Sequence, residues 1–174
     1  MDKKKLLRAT VPICLVLIVS GIWIFKNANK MSESLAAPKN KEDFVLEAAF
    51  VDLDALKEYK LPIIIDFGAD SCIPCKEMAP VLKALNTEMQ GKAIIKFVDV
   101  WKNAEAARDF PIQVIPTQIF ISADGKPYVP SDGMQIEFAM YTYKNTGEHA
   151  FTVHQGGLTK DQMKAILADM GVSE

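Results

Sequence analysis

The sequence predicts an α/β domain over residues 43–174, with a mixed central sheet flanked by helices, preceded by one N-terminal transmembrane helix. Three observations carry this prediction. Apolar runs rich in β-branched residues at 61–69, 92–100 and 113–122 alternate with segments of helical periodicity, the order of a helix-covered sheet. After residue 126 the pattern changes to apolar–polar alternation around a turn, which marks an antiparallel hairpin. Finally, residues 9–25 carry no charge.

The N-terminus divides into a basic tail (1–8), an apolar segment (9–25) and a polar linker (26–42). Counted from Leu6, the apolar stretch reaches about 20 residues, the length that spans a bilayer as a helix. Trp23 suits the membrane interface, and Lys3, Lys4, Lys5 and Arg8 place the N-terminus in the cytoplasm, with everything after Lys26 outside. No small-residue cleavage site directly follows Phe25, so a retained anchor is favoured over a cleaved signal; the alanines of "SLAAP" lie well beyond the apolar run. Cys14 reads as an inert thiol in the bilayer, because Ile13 stands where lipid attachment needs a small residue. The linker has no apolar periodicity and lifts the domain off the membrane. Residues 42–174 carry 12 Lys and Arg against 20 Asp and Glu, an acidic domain that argues against nucleic-acid binding.

Along the domain, residues 44–50 read as a short strand, and 51–59 as a helix capped near Asp52 or Asp54. The continuous apolar run 61–69 is a strand covered on both faces. From Cys72 to Gln90, Met78, Val81, Leu82, Leu85 and Met89 share one helical stripe that Gly91 ends. A strand (92–100), a short helix (103–110), a strand (113–122) and a turn at Asp124–Gly125 follow. Residues 126–150 are read as a hairpin insertion turning at Asn145–Gly147. Residues 158–170 form a closing helix with Thr159 as N-cap and Met163, Ile166, Leu167 and Met170 inward.

Cys72 and Cys75, in "DFGADSCIPCK", admit three readings: a redox dithiol, half of a metal site, or two buried thiols. A structural zinc takes four Cys or His ligands, which here means these cysteines plus His149 and His154, with the hairpin folded over them. Two positions at a helix start are poor places to hide two thiols. The redox reading has the physical advantage. Where a strand ends and a helix begins, unpaired N–H groups and the helix dipole stabilise a thiolate. That makes Cys72 the nucleophile and Cys75, one turn further in, the resolving thiol, with Pro74 stiffening the turn. Asp66, a carboxylate between Ile65 and Phe67 in a buried strand, is expected to have a raised pKa.

"IIIDFGADSCIPCKEMAPVL" resembles the thioredoxin active-site segment at Asp66, Phe67, Ala69, Cys72, Pro74, Cys75, Lys76, Ala79 and Pro80. "VIPT" (114–117) resembles the family's cis-proline loop, and "DGK" (124–126) with "GGLTKDQMKAIL" (156–167) resembles its last hairpin and helix. The resemblance implies a thioredoxin fold and no cofactor or metal beyond the redox-active pair. It implies that Asp66 moves protons to and from Cys75, that Pro116 lies beside the cysteines, and that the Ile115 backbone pairs with an extended substrate. It also implies that Lys96 lies near Asp66. Ile73, Pro74, Ile115, Thr117 and Lys96 are thus supporting or docking positions. The chain departs from the family at both tryptophans, replaced by Gly68 and Ser71, the latter then a helix cap. Ile73 replaces the usual Gly.

These readings imply a membrane-anchored, outward-facing thiol–disulfide oxidoreductase. Its partners would be protein disulfide substrates, apocytochrome c cysteines among the candidates, and a transmembrane thiol reductant as electron donor. Thr117 after the cis proline and the absence of His between the cysteines favour a reductase over a disulfide-forming oxidase. The rival from another class is a thioredoxin-fold metal-binding chaperone using Cys72, Cys75 and a histidine. Copper chaperones of similar fold space their cysteines by three residues rather than two.

Overall fold

The computed structural model describes residues 41–173. The basic tail, the apolar segment 9–25 and the linker up to residue 40 lie outside the described residues. Among the described residues, no helix is long and apolar enough to cross a membrane.

The sheet has five strands: β1 (Ile63–Gly68), β2 (Ile94–Asp99), β3 (Thr117–Ile121), β4 (Ala139–Thr142) and β5 (His149–Gln155). Their spatial order is β2-β1-β3-β5-β4. β1 runs parallel to β2 and antiparallel to β3, so the sheet is mixed as expected. Every residue of β1 is buried, the consequence of a continuous apolar run placed at the centre of a sheet with both faces covered.

Side-chain alternation along the strands sorts the core into two layers. On one face, Ile63, Ile65, Phe67, Ile94, Val98, Ile119 and Ile121 pack with Leu56 of α1 (Leu53–Lys57) and Ala106 of a 3-10 turn at Ala104–Ala107. On the other, Ile64, Ile95 and Phe120 meet Met78, Leu82 and Leu85 of α2 (Ile73–Glu88) and Met163, Ile166 and Leu167 of α3 (Lys160–Asp169). Each fully buried aliphatic side chain is worth roughly 1.5–3 kcal/mol, so these layers hold the helices against the sheet. Asp52 caps α1, accepting from Ala55 N at 3.0 Å. Thr159 caps α3 in a reciprocal capping box with Gln162.

Two expectations need correction. Residues 44–50 do not form a strand. Lys41–Phe44 is a 3-10 helix, and only one isolated parallel bridge, Glu47 to Phe97, reaches β2. Backbone bonds to Phe97 come only from Leu46 O (2.7 Å) and Ala48 N (2.9 Å), too few for a ladder, while the Lys96 ammonium takes the carbonyls of Glu42 (2.9 Å) and Val45 (2.8 Å). The insertion is a hairpin only in its second half. Tyr143–Glu148 closes the turn between β4 and β5, with Gly147 at φ 73°, a left-handed position that suits glycine. Residues 126–138 hold no strand, since Pro127 and Pro130 lack N–H donors and only an Ile121–Pro127 bridge forms. That stretch instead packs on the α2–α3 face. Tyr128 is buried and bonds Asp169 of α3, and Phe138 stands edge-on to Phe120 and Tyr128. β5 lies between β3 and β4, so the insertion supplies a new edge strand.

Candidate active site

The C-terminal ends of β1 and β2 and the segment leading into β3 meet at one edge of the sheet, because β3 runs opposite to its neighbours. There Cys72 and Cys75 form a disulfide, with Cα atoms 5.3 Å apart. Cys72 is half-exposed, and Cys75 is only 3% exposed. Cys72 itself, not Ser71, is the N-cap of α2, with its Sγ accepting from Cys75 N at 3.4 Å. The helix begins one residue later than a Ser71 cap requires, which puts the sulfur rather than a hydroxyl at the unpaired N–H groups. Pro74 occupies the first turn, where its missing N–H leaves no bond unmade. A sulfur at the positive end of a 16-residue helix is the one whose thiolate is stabilised on reduction.

The segment before β3 closes over the pair. The Ile115–Pro116 bond is cis, and Cys72 Sγ lies 3.9 Å from the Ile115 carbonyl oxygen. Thr117 Oγ1 donates to Val114 O at 2.6 Å, and Gly156 N donates to Pro116 O at 2.9 Å. Ile73 is 71% exposed, and Val114 and Trp101 are also exposed at this edge. Asp99, at the end of β2, ties two of the loops together. Its carboxylate accepts from the backbone N–H of Asp70, Trp101 and Lys102 at 2.9–3.0 Å. Burial pushes Asp99 up, but these donors and the Lys102 charge outweigh it and hold the carboxyl below its ordinary range.

Behind the disulfide, Gly68 leaves no space. A Cβ there would sit 2.9 Å from the Phe97 ring, 3.2 Å from Cys75 Sγ and 3.3 Å from Cys75 Cβ. Two residues back on the same face, Asp66 is wholly buried. Its Oδ1 accepts from Gln118 Nε2 at 2.7 Å, while Oδ2 has no protein partner. Burial raises its pKa to about 7, against the Gln118 hydrogen bond, which lowers it.

Lys96 requires a correction. It is the register partner of Ile65, whereas Asp66 faces Phe97 across the β1–β2 ladder. Its side chain therefore leaves the opposite face of the sheet from Asp66, and its ammonium is held by the Glu42 and Val45 carbonyls. Burial lowers its pKa, partly offset by Asp43 and Glu42. The histidines do not approach the cysteines through any bond. His154 Nδ1 sits 2.9 Å from Glu137 O, and His149 Nε2 sits 2.9 Å from Thr152 Oγ1. Among the described residues, no cluster of three or more His, Cys, Asp or Glu is placed to hold a metal ion. Sequence reading missed Gln118, Phe97 and Asp99. Gln118 had a signal: an amide heading the apolar run "QIFI", opposite the one carboxylate of "IIIDFG".

A buried and a half-exposed cysteine bridged at a helix start, above a buried carboxyl, define a thiol–disulfide oxidoreductase. Comparison with known proteins gives the family. The thioredoxin family model matches residues 44–137. Thioredoxin 1 of Chlorobaculum tepidum is 43% identical over 63 residues, 36% of this chain and 62% of that protein. Thioredoxin of Mycobacterium tuberculosis is 41% identical over 83 residues, 48% of this chain and 69% of that protein. A crystal structure of chloroplastic thioredoxin z superposes with a TM-score of 0.52 at 22% identity, covering 74% of this chain and 96% of that one, a likeness of fold. The chain belongs to the thioredoxin family, whose members work through a redox-active dithiol without a cofactor.

Three expectations follow. The native Asp66 carboxyl stays protonated to about pH 7, while in the unfolded chain it ionises near 3.8. The native state thus binds more protons in that window and loses stability as pH rises through it. Asp66→Asn should therefore stabilise the protein by on the order of 4 kcal/mol at alkaline pH and little at acid pH, read by urea unfolding. Lys96→Met should leave the Asp66 midpoint, followed by carboxyl 13C shifts, where it is. Gly68→Ala should cost about 1–3 kcal/mol from overpacking, partly recovered in the Gly68→Ala/Phe97→Leu double variant.

Proposed function

We propose that this protein is a membrane-anchored disulfide reductase whose domain faces outward from the cell membrane, with its N-terminus in the cytoplasm. The observation that carries the reaction is the asymmetry of the cysteine pair: a half-exposed Cys72 at the α2 N-terminus and a buried Cys75 against Gly68. The Cys72 thiolate attacks a substrate disulfide, forming a mixed disulfide and releasing one substrate thiolate. Cys75 then gives its proton to Asp66 and attacks Cys72 Sγ, releasing the second substrate thiolate and leaving Cys72–Cys75 oxidised. The Ile115 backbone and the cis Pro116 segment, beside Cys72 Sγ, suit docking of an extended substrate segment, with exposed Ile73 as an apolar contact. Thr117 and Pro74 hold this geometry from either side.

The apolar segment 9–25, with lysines and an arginine before it, supports the anchor and its orientation. An enzyme oxidised outside the cytoplasm needs an electron source to return to the dithiol, and a transmembrane thiol reductant fits that need. Apocytochrome c cysteines before haem attachment are one candidate substrate class. Thr117 after Pro116 and the lack of a histidine between the cysteines favour the reductase direction.

Equilibrated against a dithiol buffer, the Cys72–Cys75 pair should show a potential near that of thioredoxin, about −270 mV; a value near about −120 mV overturns the reductase direction in favour of an oxidase. Cys75→Ser should accumulate a mixed disulfide through Cys72 with its protein substrate, and its absence sinks the order of attack. Protease added outside spheroplasts should digest the domain while leaving a short N-terminal fragment in the membrane. Protection of the domain sinks the outward orientation.

A further inference from the structure

Gln118 is buried, is the register partner of Asp66 across β1–β3, and donates to Asp66 Oδ1 at 2.7 Å. The same Nε2 donates to Gly156 O at 3.1 Å and lies 3.4 Å from Met78 Sδ. Gly156 also fixes which way the amide points. A flipped amide would set Oε1 against the Gly156 carbonyl and the Asp66 carboxylate, two acceptors. With Oδ1 engaged, Asp66 Oδ2 is left without a protein partner.

We propose that Gln118 is the positioning residue of the buried acid: its amide holds Asp66 Oδ1, so that Oδ2 is the oxygen that takes the Cys75 proton. This rests on Asp66 being the proton partner of Cys75. In the resolving step the Cys75 S–H proton passes to Asp66 Oδ2, and the Cys75 sulfur forms its bond to Cys72 Sγ. The bond from Cys72 Sγ to the substrate sulfur breaks, and the substrate leaves as a thiolate. The enzyme dithiol is oxidised and the substrate disulfide reduced. Gln118 neither gains nor loses a proton; it orients the acceptor and favours its ionised form, since a hydrogen bond to a carboxylate stabilises the charge.

The surroundings make this amide the main polar influence on Asp66. On its face, β2 presents Ile95 and Phe97, α2 presents Met78 and Cys75, and α3 presents Met163, Ile166 and Leu167. The titratable side chain next along the sheet is His154 of β5, the register partner of Gln118, with its Nδ1 on Glu137 O.

The test is the pH profile of reduction of insulin disulfides, used as a probe, by the pre-reduced full chain from about pH 5 to about pH 9. Gln118→Met keeps side-chain length and removes the donor. Its acid-limb midpoint should rise by about one pH unit, with a rate near tenfold below wild type under acid conditions and a deficit that shrinks as the pH rises. An unshifted midpoint, or an equal loss at every pH, overturns the proposal. Asp66→Asn separates the two readings. If it leaves the acid limb in place, the Asp66 reading falls and this one with it. If it removes the limb while Gln118→Met leaves the midpoint unmoved, Gln118 alone is overturned. The wild-type chain gives a readout independent of variant folding. The Gln118 side-chain amide resonances should titrate with the midpoint of the rate profile, and resonances that stay fixed through it overturn the proposal.

Discussion

The Phe97 ring of β2 and Cys75 of α2 crowd the end of β1 so closely that a Cβ at Gly68 would force a neighbour to shift, and much of the site follows from that approach. With a Cβ excluded by Phe97 and Cys75, the second cysteine sinks to near-complete burial while the first stays half-exposed at the helix start. The asymmetry on which the proposed roles of Cys72 and Cys75 rest is therefore a packing result. The family's tryptophan position is occupied here by a glycine with the Phe97 ring against it. An aromatic from β2 fills space that a β1 side chain would otherwise take.

The same packing sets the electrostatics. Asp66 lies two residues before Gly68, beneath α2, and burial is the main influence on its proton affinity. A carboxyl kept from water with one amide partner is expensive to ionise, and a strand made of isoleucine would tolerate the loss of it easily. Its presence in the centre of an otherwise apolar strand is the kind of local conflict that sequences keep where chemistry needs it. Gln118 makes that conflict bearable. It bonds one carboxylate oxygen and, through Gly156, connects the acid to the Pro116 carbonyl. Asp99 does comparable work for the loops, gathering three backbone donors from the segments that follow β1 and β2.

The insertion obeys a different constraint. Adding residues between β3 and β5 could have extended the hairpin outward, but Pro127 and Pro130 lack N–H donors and the first part pairs with β3 only through the Ile121–Pro127 bridge. The chain instead seals the α2–α3 face with Tyr128 and Phe138, then returns as the edge strand β4. Tyr128 is bound to Asp169 and receives the Thr152 hydroxyl at its carbonyl, so the insertion is fastened to both α3 and β5. It sits on the β4–β5 side of the sheet, away from the β1–β2 loops that Asp99 organises.

Local patterning by itself determined the elements around the site: the buried strand "IIIDFG", the helix stripe from Met78 to Leu85, the Thr159 cap, and the two-residue spacing that puts both cysteines at one helix start. These are short-range properties, written in periodicity and in residues with special backbone chemistry. Tertiary structure alone decided which side chains meet. The register of β1 against β2 pairs Ile65 with Lys96 and Asp66 with Phe97. Because strand side chains alternate, that single-residue offset sends Lys96 to the opposite face, onto the Glu42 and Val45 carbonyls. The pairing of β1 with β3 likewise brings Gln118, an unremarked polar residue 52 positions away, to the buried carboxyl. Face and partner are set by pairing between strands distant in sequence, and no periodicity within either strand encodes them.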